Sequence, residues 1–176
     1  MIDIQNLMMD MIIYYAGDPK RIQHFIKVYQ FAKMIGEMEQ VDAHTQEILE
    51  TAALVHDIGI KISEEKYHSS SGKVQELEGP PLARSLLTKP GYPEAFVDRV
   101  CWLVGHHHTY DDIQETDHQI LVEADFLVNA YEDGLSEQAI HSLSEKIFRT
   151  ETGKKLHISQ AFHFAVMYFV IIADLS

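Results

Sequence analysis

The chain has 176 residues, 46% of them apolar and 23% charged, with a formal net charge of −13. That composition belongs to an ordinary globule long enough to bury roughly 70% of its unfolded surface. The acidity argues against a long nucleic acid or an anionic membrane as partner, since both select basic surfaces.

A small anionic substrate stays admissible, because a bound cation or a local basic cluster reverses the field at one site. The single cysteine, Cys101, allows no intrachain disulfide and points to a reducing compartment. Met1-Ile2-Asp3-Ile4-Gln5 lacks the basic start of a signal peptide, so the expected location is cytoplasmic.

Helical periodicity dominates, with no internal repeat, low-complexity tract or alternating strand. A first apolar helix is predicted from Ile4 to Tyr15, ended by Ala16-Gly17. Asp18 caps a second, with Pro19 at its first position; it runs to about Met34, with Gly36 near its end. Asp42 opens a third, which passes through Leu49 and Ala53 to His56.

Residues 59–79 read as a polar, mobile connection, long enough to serve as a lid. Helices resume at Pro80-Pro81 and again at Pro93, the second carrying Phe96 to His107. Asp117 is the expected cap of the next, which passes through Asp125 to about Glu132; Ser136 and Ser159 begin the last two. The apolar run Ala161 to Ala173 is interrupted by His163 and falls short of the ~20 residues of a membrane span. It reads as a buried closing helix that also suits packing on a partner. The expected architecture is one all-α helical bundle over residues 1–176, without a clear linker.

Four separated places put a metal-ligand side chain where helical spacing expects a hydrophobe. His24 shares a stripe with Val28, Phe31 and Ile35. His56 follows Leu49, Ala52 and Ala53, and Asp57 stands beside it just before Gly59. Adjacent helical residues do not share a face, so this pair converges only where the helix ends, an end that Gly59 supplies. Asp125 lies among Leu121, Val122 and Val128, where a carboxylate needs a partner or a metal. In the triplet His106-His107-His108, alignment with Phe96, Val100, Leu103 and Val104 makes His107 the most inward, leaving His106 or His108 to face a substrate. Imidazole with carboxylate suits first-row divalent metals: iron, manganese, zinc, nickel or cobalt.

The ordered set His24, His56-Asp57 and Asp125 resembles the HD-domain superfamily of metal-dependent phosphohydrolases. So do the local contexts Ala52-Ala53-Leu54-Val55-His56-Asp57-Ile58-Gly59 and Leu121-Val122-Glu123-Ala124-Asp125-Phe126-Leu127. The resemblance covers about residues 21–133, with the later helices completing the bundle. It implies the all-α HD fold, with His24, His56, Asp57 and Asp125 holding one divalent metal. Binuclear members add two histidines between the HD pair and the last aspartate. Here Glu78, before Gly79, stands where the first is expected, and His107 best matches the second. One or two ions per chain are therefore expected.

By the same resemblance Asp57 is both ligand and proton acceptor. Lys61, four residues past Asp57, is a candidate to pair with a substrate phosphate. The expected substrate is a nucleotide or another small phosphate ester. Two other readings compete. Some HD relatives use a di-iron form of the site to activate oxygen, and a degenerate module would bind a nucleotide or a partner as a sensor. The acidic surface and apolar tail are consistent with a homo-oligomer.

Overall fold

The computed structural model describes residues 3–111 and 113–161. The described residues form nine helices and no strand. They are α1 (Ile4–Tyr14), α2 (Pro19–Met38), α3 (Ala43–Val55), α4 (Ile60–Tyr67), α5 (Gly72–Thr88), α6 (Glu94–Val104), α7 (Thr116–Glu132), α8 (Glu137–Ile147) and α9 (Glu151–Ala161).

Aspartates set the first three starts. Asp3, Asp18 and Asp42 accept hydrogen bonds from the backbone N–H of Asn6, Arg21 and Thr45, each three residues on. Such caps satisfy donors that a helix N-terminus leaves free. α2 passes the expected end near Met34 and continues to Met38. Gly36 is not a stop: a Cβ there would lie 2.2 Å from Gln46 Oε1 and 3.0 Å from Leu49 Cδ2. It is the close-approach point of α2 and α3.

The expected polar connection over residues 59–79 is instead α4 and the first half of α5, leaving only residues 68–71 irregular. Its charged residues form the outer face of α4, while Ile60 and Ser63 are buried. His68 closes α4 in the left-handed region, its N–H bonded to Glu64 O. Pro80 and Pro81 lie inside α5 rather than at its start. Each proline removes an N–H and so frees a carbonyl four residues back. Those carbonyls belong to half-buried Glu76 and exposed Leu77, on the less buried side of the helix.

α6 ends at Val104, before the histidine triplet, and successive turns carry residues 105–108. Asp117 does not cap α7. It sits in the first turn and accepts two hydrogen bonds from Arg99, at 2.9 and 2.5 Å. Ser136 does cap α8. Ser159 lies within α9, its hydroxyl bonded to Lys155 O, so no helix starts there. The run Ala161 to Ala173 lies, beyond its first residue, outside the described residues.

α7 is the central helix. Thirteen of its residues are buried, on every face, as expected of a rod enclosed by other helices. α2 and α3 pack against it, and α6 packs on α3 from the other side. The buried carboxylate of Glu123 anchors the α8–α9 turn, accepting from the N–H of Arg149 and Thr150. No helix among the described residues is long and apolar enough to cross a membrane.

Candidate metal centre

α3 ends at Val55, and the chain from there to α4 winds tightly. Ile58 N bonds Val55 O and Ile60 N bonds Asp57 O, both three residues back. This tighter winding turns His56 and Asp57 toward one point. Two tyrosines of the α1 end hold it from outside: Tyr14 OH donates to Ile58 O at 3.1 Å and Tyr15 OH to Asp57 O at 2.6 Å.

Gly59 contributes space rather than backbone freedom, since its φ of −74° is open to any residue. A Cβ there would meet Gln75 O and Gly79 N at 2.8 Å, so this glycine lets α5 cross directly over the turn.

His24 from α2 and Asp125 from α7 meet the pair. His24 Nε2 lies 3.2 Å from His56 Nε2, 3.3 Å from Asp57 Oδ2 and 3.2 Å from Asp125 Oδ1. His56 Nε2 is 3.5 Å from each of the same two oxygens. Donors held roughly 2.0–2.2 Å from one centre are separated from each other by roughly 3.0–3.5 Å. The two imidazoles together with either carboxylate oxygen therefore have the spacing of a first-row metal's ligands. His107 approaches from the side, its Nε2 3.5 Å from Asp57 Oδ1.

The imidazoles are oriented for this. His24 Nδ1 donates to Glu132 Oε2, His56 Nδ1 to Ala53 O and His107 Nδ1 to Val104 O. Each ring thus presents the lone pair of Nε2 inward, the arrangement that outer partners impose on metal-bound histidine. His107 Nε2 and Asp125 Oδ1 are buried without a hydrogen-bond partner. Asp125 Oδ1 is within ion-pair distance of two imidazoles, yet in hydrogen-bonding geometry with neither. Converging lone pairs and buried carboxylates call for positive charge at the centre. The donor set fits a divalent transition metal.

Protons are the alternative source of that charge. Burial opposes charging His56, but the Asp57 charge and the Asp125 carboxylate outweigh it and hold this imidazole well above its ordinary range. His24 is raised too, against burial, chiefly by Asp125. Burial likewise opposes ionising Asp57, yet His56 and His107 hold its carboxyl well below the usual carboxylate range. Asp125 is lowered as well, its burial outweighed by His24 and His56.

A cleft of about 480 Å³ opens on the cluster, lined among others by Lys20, Arg21, His24, Asp57, His108 and Tyr110. Asp57, 15% exposed, faces it, whereas the Asp125 side chain is only 3% exposed. His108 Nε2 bonds Gln75 Oε1 at 3.2 Å, and burial, assisted by the neighbouring His107, pushes its pKa down to about 4. Asp57, His107 and His108 form a second group whose donor atoms lie within 4.8 Å of one another.

Three residues expected at the site are placed elsewhere. Glu78 is occupied by Lys66 Nζ at 2.8 Å and Tyr67 OH at 2.7 Å, tying α4 to α5, because the turn at residues 68–71 brings those partners alongside. Lys61 rests over the Tyr14 ring, 5.5 Å from its centroid, and is not among the cleft residues. His106 stacks on Trp102 at 4.1 Å, with Nδ1 bonded to Trp102 O, on the far side of its turn from buried His107. Conversely, sequence reasoning misses Glu132 and Tyr15. Glu132 had a signal: it stands seven residues after Asp125, on the same face of α7.

The family model of the HD domain matches residues 21–149. The chain belongs to the HD-domain family. This HD protein is similar to the crystal structure of a predicted HD superfamily hydrolase from an uncultured Thermotogales bacterium. The two are 25% identical, with a TM-score of 0.63 over 99% of this chain and 92% of that one. No curated protein matches the chain. Family and structural likeness together put it in a superfamily of metal-dependent hydrolases, and the His/Asp cluster is compatible with metal binding.

Proposed function

We propose that this HD protein is a metal-dependent phosphohydrolase acting on a nucleotide or another small phosphate ester. The observation that carries the reading is the convergence of His24, His56, Asp57 and Asp125 on one centre beside a cleft whose wall includes Lys20 and Arg21. A divalent metal held by those four residues would supply a Lewis acid for a phosphoryl oxygen and bring a water's pKa toward neutrality.

His24, His56 and Asp125 are buried and serve to hold. Asp57 faces the cleft with its carboxylate ionised, so it is the group that takes a proton from the attacking water. His107 brings its Nε2 to 3.5 Å from the second oxygen of Asp57. Arg21 is a fixed cation at the wall, bonded to Asp18 at 2.7 Å and Glu64 at 2.6 Å, and with Lys20 it orients the substrate phosphate. The cleft volume and acidic surface favour a small substrate over a polymer.

A second reading, oxygen chemistry at a two-iron form of the site, draws on the second donor group of Asp57, His107 and His108. A screen of nucleotides and sugar phosphates with the metal-reconstituted protein separates the two. The expected result is phosphate release that Asp57→Asn abolishes. Release undiminished in Asp57→Asn would overturn the assignment; oxygen consumption by an iron-loaded sample with no phosphate release would replace it with the second reading.

A further inference from the structure

The hydrolytic mechanism leaves a histidine of the cleft without a task. His108 offers a ring nitrogen within 4.8 Å of donor atoms of Asp57 and His107, and it lines the same cleft as Lys20 and Arg21. Its surroundings fix the ring. Glu76 Oε1 accepts from the His108 N–H and from the Thr109 hydroxyl, each at 3.0 Å. Gly72 opens α5 directly against the imidazole, so that a Cβ there would lie 2.7 Å from His108 Cδ2.

Gln75 decides which nitrogen of that ring carries the hydrogen. This side chain is buried, and its Nε2 donates to the Ser70 carbonyl at 2.7 Å. A carbonyl only accepts, so the amide cannot be turned round, and Oε1 is left facing His108 Nε2 at 3.2 Å. That oxygen only accepts as well. The neutral ring therefore holds its hydrogen on Nε2 and keeps Nδ1 as a bare acceptor. Nδ1 meets the hydroxyl of exposed Tyr110 at 3.5 Å, the outer limit of a hydrogen bond, so a donor from the cleft can take that place.

A bare acceptor beside the metal centre reads the organic part of a substrate. An ionised phosphate only accepts and finds no partner at Nδ1; a hydroxyl does. We infer that Gln75 holds His108 as its Nε2–H tautomer, and that His108 Nδ1 accepts a hydrogen bond from a substrate hydroxyl within a few bonds of the phosphorus. The inference rests on the phosphohydrolase reading. It makes Gln75 a positioning residue, and His108 the group that favours hydroxylated phosphate esters over plain alkyl phosphates. It also sets His108 apart from the metal ligands.

Two measurements on the full chain test this. Long-range nitrogen–proton correlation spectra of the zinc-loaded protein tell a protonated ring nitrogen from a bare one. His108 should show hydrogen on Nε2 and a bare Nδ1, and Gln75→Met, of nearly equal size, should give a mixture of tautomers. A hydrogen on Nδ1 in the unaltered protein would overturn the inference. So would zinc bound at Nδ1, which would make His108 a ligand.

Glycerol phosphate and n-propyl phosphate share a carbon skeleton and differ only in their hydroxyls. Phosphate release should favour the first by about tenfold in kcat/KM, the worth of one hydrogen bond. The preference should fall toward one in Gln75→Met and in His108→Phe. Because His108→Phe removes the acceptor and leaves Gln75 in place, it carries the test if Gln75→Met does not fold. Equal rates for the two esters in the unaltered protein would overturn the inference and leave hydrolysis standing. Release from neither, nor from any ester of the wider screen, would overturn hydrolysis and the substrate half of the inference with it.

Discussion

His24 and His56 face each other through their Nε2 atoms at 3.2 Å, and neither ring has a proton there to offer the other. Both Nδ1–H groups are committed elsewhere, to Glu132 and to Ala53 O. A metal or added protons must fill the gap between them, so the two compete. Both rings are raised above the usual histidine range in the metal-free protein. A raised folded-state pKa contributes stability below about pH 6.5 that is lost as pH rises through the folded value. The metal-free protein should therefore lose thermal stability on the alkaline side, while metal affinity rises with pH because binding displaces protons. Thermal melts with chelator and with added metal, from acid to alkaline pH, check this. A metal-induced rise in Tm that shrinks with pH would contradict it.

His108 has the opposite sign. Burial pushes it down to about 4, so between that value and about 6.5 the unfolded chain binds a proton that the folded one does not. Stability from this residue is present above about pH 6.5 and declines as pH falls, by up to about 3 kcal/mol. His108→Gln should flatten that acid limb in denaturant titrations and leave the alkaline limb unchanged.

Glu132 reaches the centre only through His24, which makes it a positioning residue. Losing such an outer partner typically costs about 10–100-fold in metal affinity. Glu132→Ala should show that loss in competition with a chelator, with the helical content kept. Glu132→Gln, which can still accept the Nδ1–H bond, should recover part of it. Equal losses for both variants would mean that charge rather than orientation matters.

The legible parts of this protein were those written in local patterns. An ionisable residue on an apolar stripe marks itself, and His24, His56 and Asp125 were readable for that reason. Asp18 and Asp42 announced helix starts through short-range capping. What escaped depends on contacts between distant parts of the chain. Tyr15 touches Asp57 across 42 residues through a backbone carbonyl, which no side-chain pattern records. Gly36 and Gly59 looked like helix ends, yet each is a gap through which another helix passes. The stretch over residues 59–79 resembled a loop because its charges make one outer face of α4 and because Pro80 and Pro81, which follow it, sit inside α5 rather than at a helix start.

Glu78 and His107 were both expected as added ligands, and they sit differently. Both oxygens of Glu78 are engaged by Lys66 and Tyr67, whereas His107 points an unpartnered Nε2 at Asp57. Elemental analysis should show unchanged metal content in Glu78→Ala. His107→Ala should lower the content or weaken its retention on dialysis, and His106→Ala, at the Trp102 stack, should leave it unchanged. A drop from two ions to one in Glu78→Ala would restore that residue as a ligand.

Gly59 gives the most direct test of how the fold places the pair. A Cβ at this position would stand 2.8 Å from Gln75 O and from Gly79 N, and both are backbone atoms that cannot swing aside. α5 would have to move away from the turn, carrying Gln75, the partner of His108, with it. Overpacking of this kind costs typically about 1–3 kcal/mol. Gly59→Ala should lower the denaturant midpoint accordingly and weaken metal binding, because the turn holding His56 and Asp57 leans on the same crossing. If Gly59→Ala melts and binds metal like the unaltered chain, α5 is not what holds the pair in place.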